Sequence, residues 1–430
     1  MVREVFKVVY PLLTDQSYIR IPQSFLRLPK IHRPIPPIAS RIHTPIGPHR
    51  VIVQGPHVDS EDAADHREPL LSQLRNIPRD TTILTVEEDP PSDTEWGILG
   101  DHFTNVEDLT IDTGFHEDLN DRKMPLHWPL QRLEIQGVCG EVTKSPHILQ
   151  GRVGHLILYF TSEMRFEGPR SDELSDAYQK EIARGEVEAR YIGRLQIIHM
   201  SELALDWMSK KYTTSENPNP SPQLEPENRP LEDEEIRLHT LEIIENDALD
   251  TFQRMTLALP HLVANLTTLH LRSTSNPPDF SWINEDALAA ILPQLTNLQT
   301  LTLYVGDVFR DPSSLPALYT WLPPNLTTLH FRGPASLCRS ERWEEWIGAF
   351  ASGEFLPRLR RLAFVLDFHY EVGQYKSQEL ADAPEELLQQ ARTECDRLCE
   401  AARRRGVSIE VLHDEWAGRH GCLRPVDSRW

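Results

Sequence analysis

Five side chains between residues 270 and 332 have the types and spacing for recognition chemistry: His270, Arg272, Tyr304, His330 and Arg332. They fall in or just after three near-copies of one segment: NLTTLHL at Asn265–Leu271, NLQTLTL at Asn297–Leu303 and NLTTLHF at Asn325–Phe331. Alternate residues of a strand share a face, so equal offsets from a repeated leucine build ladders across neighbouring strands. One position after the central leucine stand His270, Thr302 and His330, and two further on stand Arg272, Tyr304 and Arg332. Guanidinium, imidazole and phenol groups hold anions through charge-assisted hydrogen bonds, and Arg and Tyr are enriched where proteins grip one another. The chemistry implied is capture of an acidic or phosphorylated protein segment. A second reading stays open: ordinary solvated strand positions, with Arg272 and Arg332 pairing to nearby acids.

Positioning such a ladder requires a stack of strands. The central leucines Leu269, Leu301 and Leu329 are spaced 32 and 28 residues apart, the signature of a repeat architecture. A lone strand of this kind cannot bury its leucines, but one stacked on the next copy can. Similar L-x-apolar cores run through the chain at Leu84/Val86, Leu109/Ile111, Leu133/Ile135, Leu156/Leu158, Leu195/Ile197, Leu241/Ile243 and Leu362/Phe364, with a weaker last copy at Ile409/Val411. Steps of 23 to 25 residues among the first four cores leave room for tight returns, whereas steps of 28 to 33 from Leu241 onward leave room for helices of two to three turns. Helices are expected at Ala248–Leu259, Asn284–Leu292, Leu315–Leu322 and Glu341–Phe350. The amphipathic stretch Pro384–Arg405 is placed to cap the open end of the stack. The equivalent ladder at the N-terminal end is acidic, with Glu87, Asp112 and Glu134.

The expected organisation is then a short helix-strand segment at 1–27, a Pro-rich basic linker at 28–58, a solenoid at 59–383 and a C-terminal cap at 384–430 that includes the weak last repeat. Seven prolines between Pro29 and Pro56 argue for an extended linker without a buried core. Two insertions interrupt the solenoid: a charged, helical 171–190, and 213–235, whose Pro, Ser, Asn and Glu content predicts a disordered loop.

Composition excludes several classes. The net charge of −21 over 430 residues opposes general nucleic-acid binding. Residues 1–54 carry eight Lys/Arg against two Asp/Glu, a local +6 that leaves −27 for the rest. Five cysteines form no disulfide framework and fit a reducing compartment. No apolar run is long enough for a bilayer, and the start has no signal-peptide pattern, so cytoplasm or nucleus is expected. Cys395 and Cys399, with His413, His420 and Cys422 downstream, match no zinc spacing and read as one buried helix face, as do Trp343 and Trp346. The sequence holds no G-x-S-x-G, H-E-x-x-H, G-x-x-x-x-G-K-[ST] or G-x-G-x-x-G motif. No enzyme, cofactor or metal is expected, although a site assembled from distant residues stays open as a remote alternative.

NLTTLHL, NLQTLTL and PLQRLEI resemble the strand signature of leucine-rich repeats over roughly Thr81–Asp414. That family's turn Asn or Cys is irregular here: Cys139 follows Leu133 and Asn246 follows Leu241, but Gly306-Asp307 follows Leu301. The resemblance implies an α/β solenoid with a curved parallel sheet on its concave side, loops and then helices on its convex side, and the five side chains above on the concave face. The layout also resembles fungal F-box-like proteins with degenerate leucine-rich repeats, in which an F-box binds a Skp-type adaptor of a cullin ubiquitin ligase and the repeats hold the substrate. Val5–Leu13 looks like the last F-box helix, whereas the preceding LP-x-E-type helices are not in this sequence. The resemblance implies a substrate receptor, with the adaptor as a partner only if an F-box lies upstream. A ligase-independent interaction scaffold is the alternative.

Overall fold

A leucine two residues ahead of a second apolar residue is the recurring unit, and stacking is what lets it bury both. In the computed structural model of the chain these units form rungs of one sheet. The structure describes residues 42–43, 50–54, 74–112 apart from 76, 88–90 and 92, 123–166 apart from 138–141, 144 and 162–164, 236–305 apart from 246–247, 274–287 and 290, and 315–430 apart from 373–377, 381 and 420–422. The strands are β1 (Ile42–His43), β2 (Arg50–Gln54), β3 (Ile83–Glu87), β4 (Asp108–Asp112), β5 (Arg132–Gln136), β6 (Val142–Thr143), β7 (His155–Tyr159), β8 (Arg165–Phe166), β9 (Thr240–Glu245), β10 (Thr268–Ser273), β11 (Thr300–Tyr304), β12 (Thr328–Pro334), β13 (Arg361–Phe368), β14 (Tyr370–Val372), β15 (Gln378–Leu380) and β16 (Ser408–Ile409).

Twelve strands form one open sheet in the order β1-β2-β3-β4-β5-β7-β9-β10-β11-β12-β13-β16, and only β1 is antiparallel to its neighbour. The chain is therefore α/β, with eleven parallel strands in a solenoid-like progression. The register is set by the leucines. Leu84, Leu109, Leu133, Leu156, Leu241, Leu269, Leu301, Leu329, Leu362 and Ile409 stand opposite one another from strand to strand. All of them except Ile409, which is partly buried, lie in one core with their i+2 apolar partners. Burying each such side chain stabilises the stack by about 1.5–3 kcal/mol. The motif's first residue also has a role: Asn297 and Asn325 donate from Nδ2 to the carbonyls of Ala264 and Thr296, tying each turn to the one before it.

Several returns differ from the expected pattern. Helix α1 (Asp93–His102) fills the step from β3 to β4, where a turn is expected. Its cause is the spacing of Trp96, Leu99 and Phe103, all fully buried. Farther along, α2 (Ala248–Ala258) and α3 (Trp343–Ala351) match expectation, and the Leu315–Leu322 return is a 3-10 helix over Leu315–Trp321. The Asn284–Leu292 helix falls largely outside the described residues. Trp346 is buried and donates from Nε1 to the Pro316 carbonyl. The capping helix α4 (Glu385–Arg404) buries Leu387, Leu388, Ala391, Cys395, Leu398, Cys399 and Ala402. Acids in its first turn and arginines in its last complement the helix dipole.

The Pro-rich stretch contains a rung. Between Pro48 and Pro56, β2 pairs in parallel with β3 and buries Val51 and Val53, so 28–58 is not linker throughout. Prolines flank this strand without interrupting it, which leaves its ladder donors intact. β7 and β9 pair directly, with Leu156 opposite Leu241. The Leu195/Ile197 rung expected between them, the insertions 171–190 and 213–235, and the whole of 1–27 lie outside the described residues. The last repeat is shorter than expected: β16 pairs through Ser408 and Ile409 only, and Val411 is 65% exposed.

Candidate functional site

The sheet has two faces, and the core occupies one. On the other, three neighbouring strands present Arg272, Tyr304 and Arg332 at a single register level, as the repeat spacing predicts. His270, Thr302 and His330 form the level before it. What the sequence does not reveal is their burial. Arg272 is 2% exposed and Arg332 is fully buried, because described residues of the C-terminal segment, in 410–419 and 423–430, lie across this face.

The two guanidinium groups converge on that segment. Arg272 Nη1 donates to Asp414, and its Nη2 donates to the Arg424 carbonyl at 3.4 Å. Arg332 forks onto Asp367 of β13, with Nε to Oδ1 at 2.7 Å and Nη2 to Oδ2 at 2.8 Å. Its remaining donors reach the Arg424 carbonyl at 2.8 Å, the Pro425 carbonyl at 2.8 Å and Asp414 Oδ2 at 3.5 Å. The Tyr304 ring lies between the two, 5.2 Å from the Arg272 guanidinium and 6.0 Å from that of Arg332, and Phe368 lies 4.3 Å from the latter. Two cations thus face two carboxylates in a water-poor layer, where charge-assisted bonds are strong and an unpaired charge is costly. Burial lowers the Arg272 guanidinium despite Asp414 and raises the Tyr304 phenol. Of the two readings of these arginines, pairing with acids is what the structure shows, but in a buried layer and not a solvated one.

Beside this level stands a second polar centre. Glu242 of β9 accepts from Trp416 Nε1 at 3.0 Å and sits 2.8 Å from His155 Nε2 and 3.0 Å from His270 Nδ1. Trp416 stacks on Tyr159 with ring centroids 4.9 Å apart, and Arg419 covers its other side at 4.4 Å. Burial pushes the Glu242 carboxyl up, but the hydrogen bonds from His155, His270 and Trp416 outweigh it and hold the group well below the ordinary carboxylate range. Such a group contributes stability at neutral pH that is lost as pH falls through about 4.3 toward its folded value. The expected result is that Glu242→Gln narrows the difference between the denaturation midpoints at pH 7 and pH 4. Equal differences in the variant and the parent chain would contradict it.

The other predicted residues are placed less centrally. His330 is half-buried, 3.6 Å from Glu410 and 3.4 Å from Thr302 Oγ1, and burial lowers its imidazole. His270 packs edge-on against Tyr304 at 5.5 Å. In the acidic ladder, Glu134 is buried beneath Arg132 and Gln136, and Arg419 reaches it at 3.6 Å. Two apolar clusters complete the layer under the segment: Tyr304, Ala363, Val365 and Phe368 with Leu412, and Ile157, Tyr159 and Ile244 with Trp416 and Leu423. Asp367, Asp414, Trp416 and the Arg424 and Pro425 carbonyls are functional groups that repeat spacing misses. Asp414 and Trp416 lie 142 and 174 residues from the side chains they bind, beyond any local pattern.

Burial raises the Cys395 thiol well above its usual range and pushes that of Cys399 up to about 11, so both stay protonated core residues. Among the described residues no group of three or more His, Cys, Asp or Glu is arranged to hold a metal ion. Among them, too, no helix is long and apolar enough to cross a membrane. No protein-family model matches the chain, and no curated protein matches it at a significant level.

Proposed function

We propose that this chain is a non-enzymatic protein-recognition scaffold of leucine-rich-repeat type, and that the second face of its sheet is the seat for an acidic or phosphorylated protein segment. The observation that carries this reading is the Arg272-Tyr304-Arg332 level, which holds a carboxylate delivered from a remote part of the chain. Donors arranged to take one carboxylate have the chemistry to take another, or a phosphate. The role that fits best is substrate recognition in ubiquitin ligation, in the cytoplasm or nucleus, with a Skp-type adaptor as a partner only if an F-box lies upstream. A ligase-independent scaffold is the second reading, and it rests on the same face.

The test is affinity purification with mass spectrometry, using the chain with any upstream sequence restored and its Arg272→Gln variant. Recovery of acidic or phosphorylated partners that Arg272→Gln loses, together with a Skp-type adaptor, is the expected result. Partners without the adaptor would move the assignment to the ligase-independent scaffold. A partner set unchanged by Arg272→Gln would rule out the face as the binding surface.

A further inference from the structure

We propose that Glu410–Arg419 is a built-in occupant of the recognition face, and that the external ligand is a protein segment with a carboxylate two residues ahead of a tryptophan. This rests on the reading of that face as a binding surface and names its ligand. Asp414 and Trp416 engage the sheet through separate seats, presented by a turn over residues 415–419 in which the Ala417 N–H donates to Asp414 Oδ1 at 3.1 Å. Asp414 takes the cationic seat of Arg272 and Arg332. Trp416 takes the aromatic seat on Tyr159 and donates its N–H to Glu242. The seats lie on β7 and β9 on one side and on β10 and β12 on the other, so the pair is read across the sheet.

The attachment is of a kind that can be exchanged. The last backbone bond joining the segment to a neighbouring strand is Glu410 N–H to the Leu362 carbonyl. Among the described residues beyond it, backbone-to-backbone bonds of the segment are local, from Arg419 to Trp416 and from Trp430 to Asp427, while the Asp427 N–H donates to Asp367 Oδ2 of β13 at 3.0 Å. Contacts between side chains, and side-chain bonds to the Arg424 and Pro425 carbonyls and the Asp427 N–H, therefore hold the rest, while the strands keep their own ladders. Gly406, at φ +89°, joins α4 to β16, from which the segment continues, in a conformation that favours glycine. A tethered occupant acts at an effective concentration near millimolar, so it weakens an external ligand of the same chemistry about tenfold or more.

The test uses a fluorescent peptide with the sequence of residues 410–419, EVLHDEWAGR, and fluorescence anisotropy. The full chain and its Asp414→Asn/Trp416→Ala variant are compared. The peptide is expected to bind the variant at least about tenfold tighter than the parent chain, and a peptide carrying the same two substitutions is expected to bind neither. Equal binding to both chains, or binding to neither, overturns the inference. Should the variant lose its fold, hydrogen exchange of the parent chain under excess peptide decides: faster exchange at residues 411–419 supports displacement, and unchanged exchange overturns it. A Glu-rich peptide without tryptophan separates the two levels of the argument. If it alone binds the variant, and does so through Arg272, the face stands and the ligand assignment falls; if neither peptide binds, both fall.

Discussion

Replacing Arg332 by Met is expected to lower the unfolding free energy by about 3–5 kcal/mol, measured by denaturant titration. The guanidinium is fully buried and forks onto Asp367, which is 2% exposed. Its removal leaves the buried Asp367 carboxylate without its cation, with the Asp427 N–H still donating to it, and leaves the Pro425 carbonyl without this donor. The size of the effect comes from the orphaned partners and not from the worth of the pair. A second variant makes the distinction measurable: Arg332→Met combined with Asp367→Leu is expected to recover most of the loss, because exchanging a whole buried pair for apolar groups is often close to neutral. A double variant no more stable than Arg332→Met alone would mean that packing around Phe368 and Tyr304 dominates.

The second large effect is local. Trp416→Ala removes the stack on Tyr159, the bond to Glu242 and the platform under Arg419. Truncation of a buried tryptophan costs about 3–5 kcal/mol when the structure has nowhere to yield. Here it does yield, because among the described residues the segment's backbone-to-backbone bonds beyond Glu410 are local, and only side chains tie its backbone to the sheet. The loss is therefore expected as undocking: hydrogen exchange at residues 423–430 accelerates by roughly one to two decades, while β10, β11 and β12 keep their protection. Acceleration spread equally over the strands would show instead that the C-terminal segment and the sheet open as one unit.

Much of this arrangement was legible in the sequence because it is periodic. The L-x-L cores set a register that holds from Leu84 to Ile409, and equal offsets from those leucines do bring Arg272, Tyr304 and Arg332 to one level. The strand at Val51 and Val53 was hidden by the prolines around it, although its alternation was present. Helix α1 was hidden by a short repeat step, although Trp96, Leu99 and Phe103 have helical spacing. Burial of the arginines was not legible at all. It depends on Asp414 and Trp416, which lie in the expected C-terminal cap beyond the Ile409/Val411 repeat and owe their placement to the path of the chain after α4. A charged residue on a strand reveals which face it shares, but not what crosses that face.

The C-terminal segment closes over the Arg272-Tyr304-Arg332 level through Asp414. A double-mutant cycle between Arg272→Ala and Asp414→Ala, read by denaturant unfolding, tests it most directly. Two side chains 142 residues apart in sequence but joined by a buried charge-assisted bond are expected to show a coupling energy of about 1–3 kcal/mol. Additive effects within about 0.5 kcal/mol would contradict the contact and, with it, the occupied face.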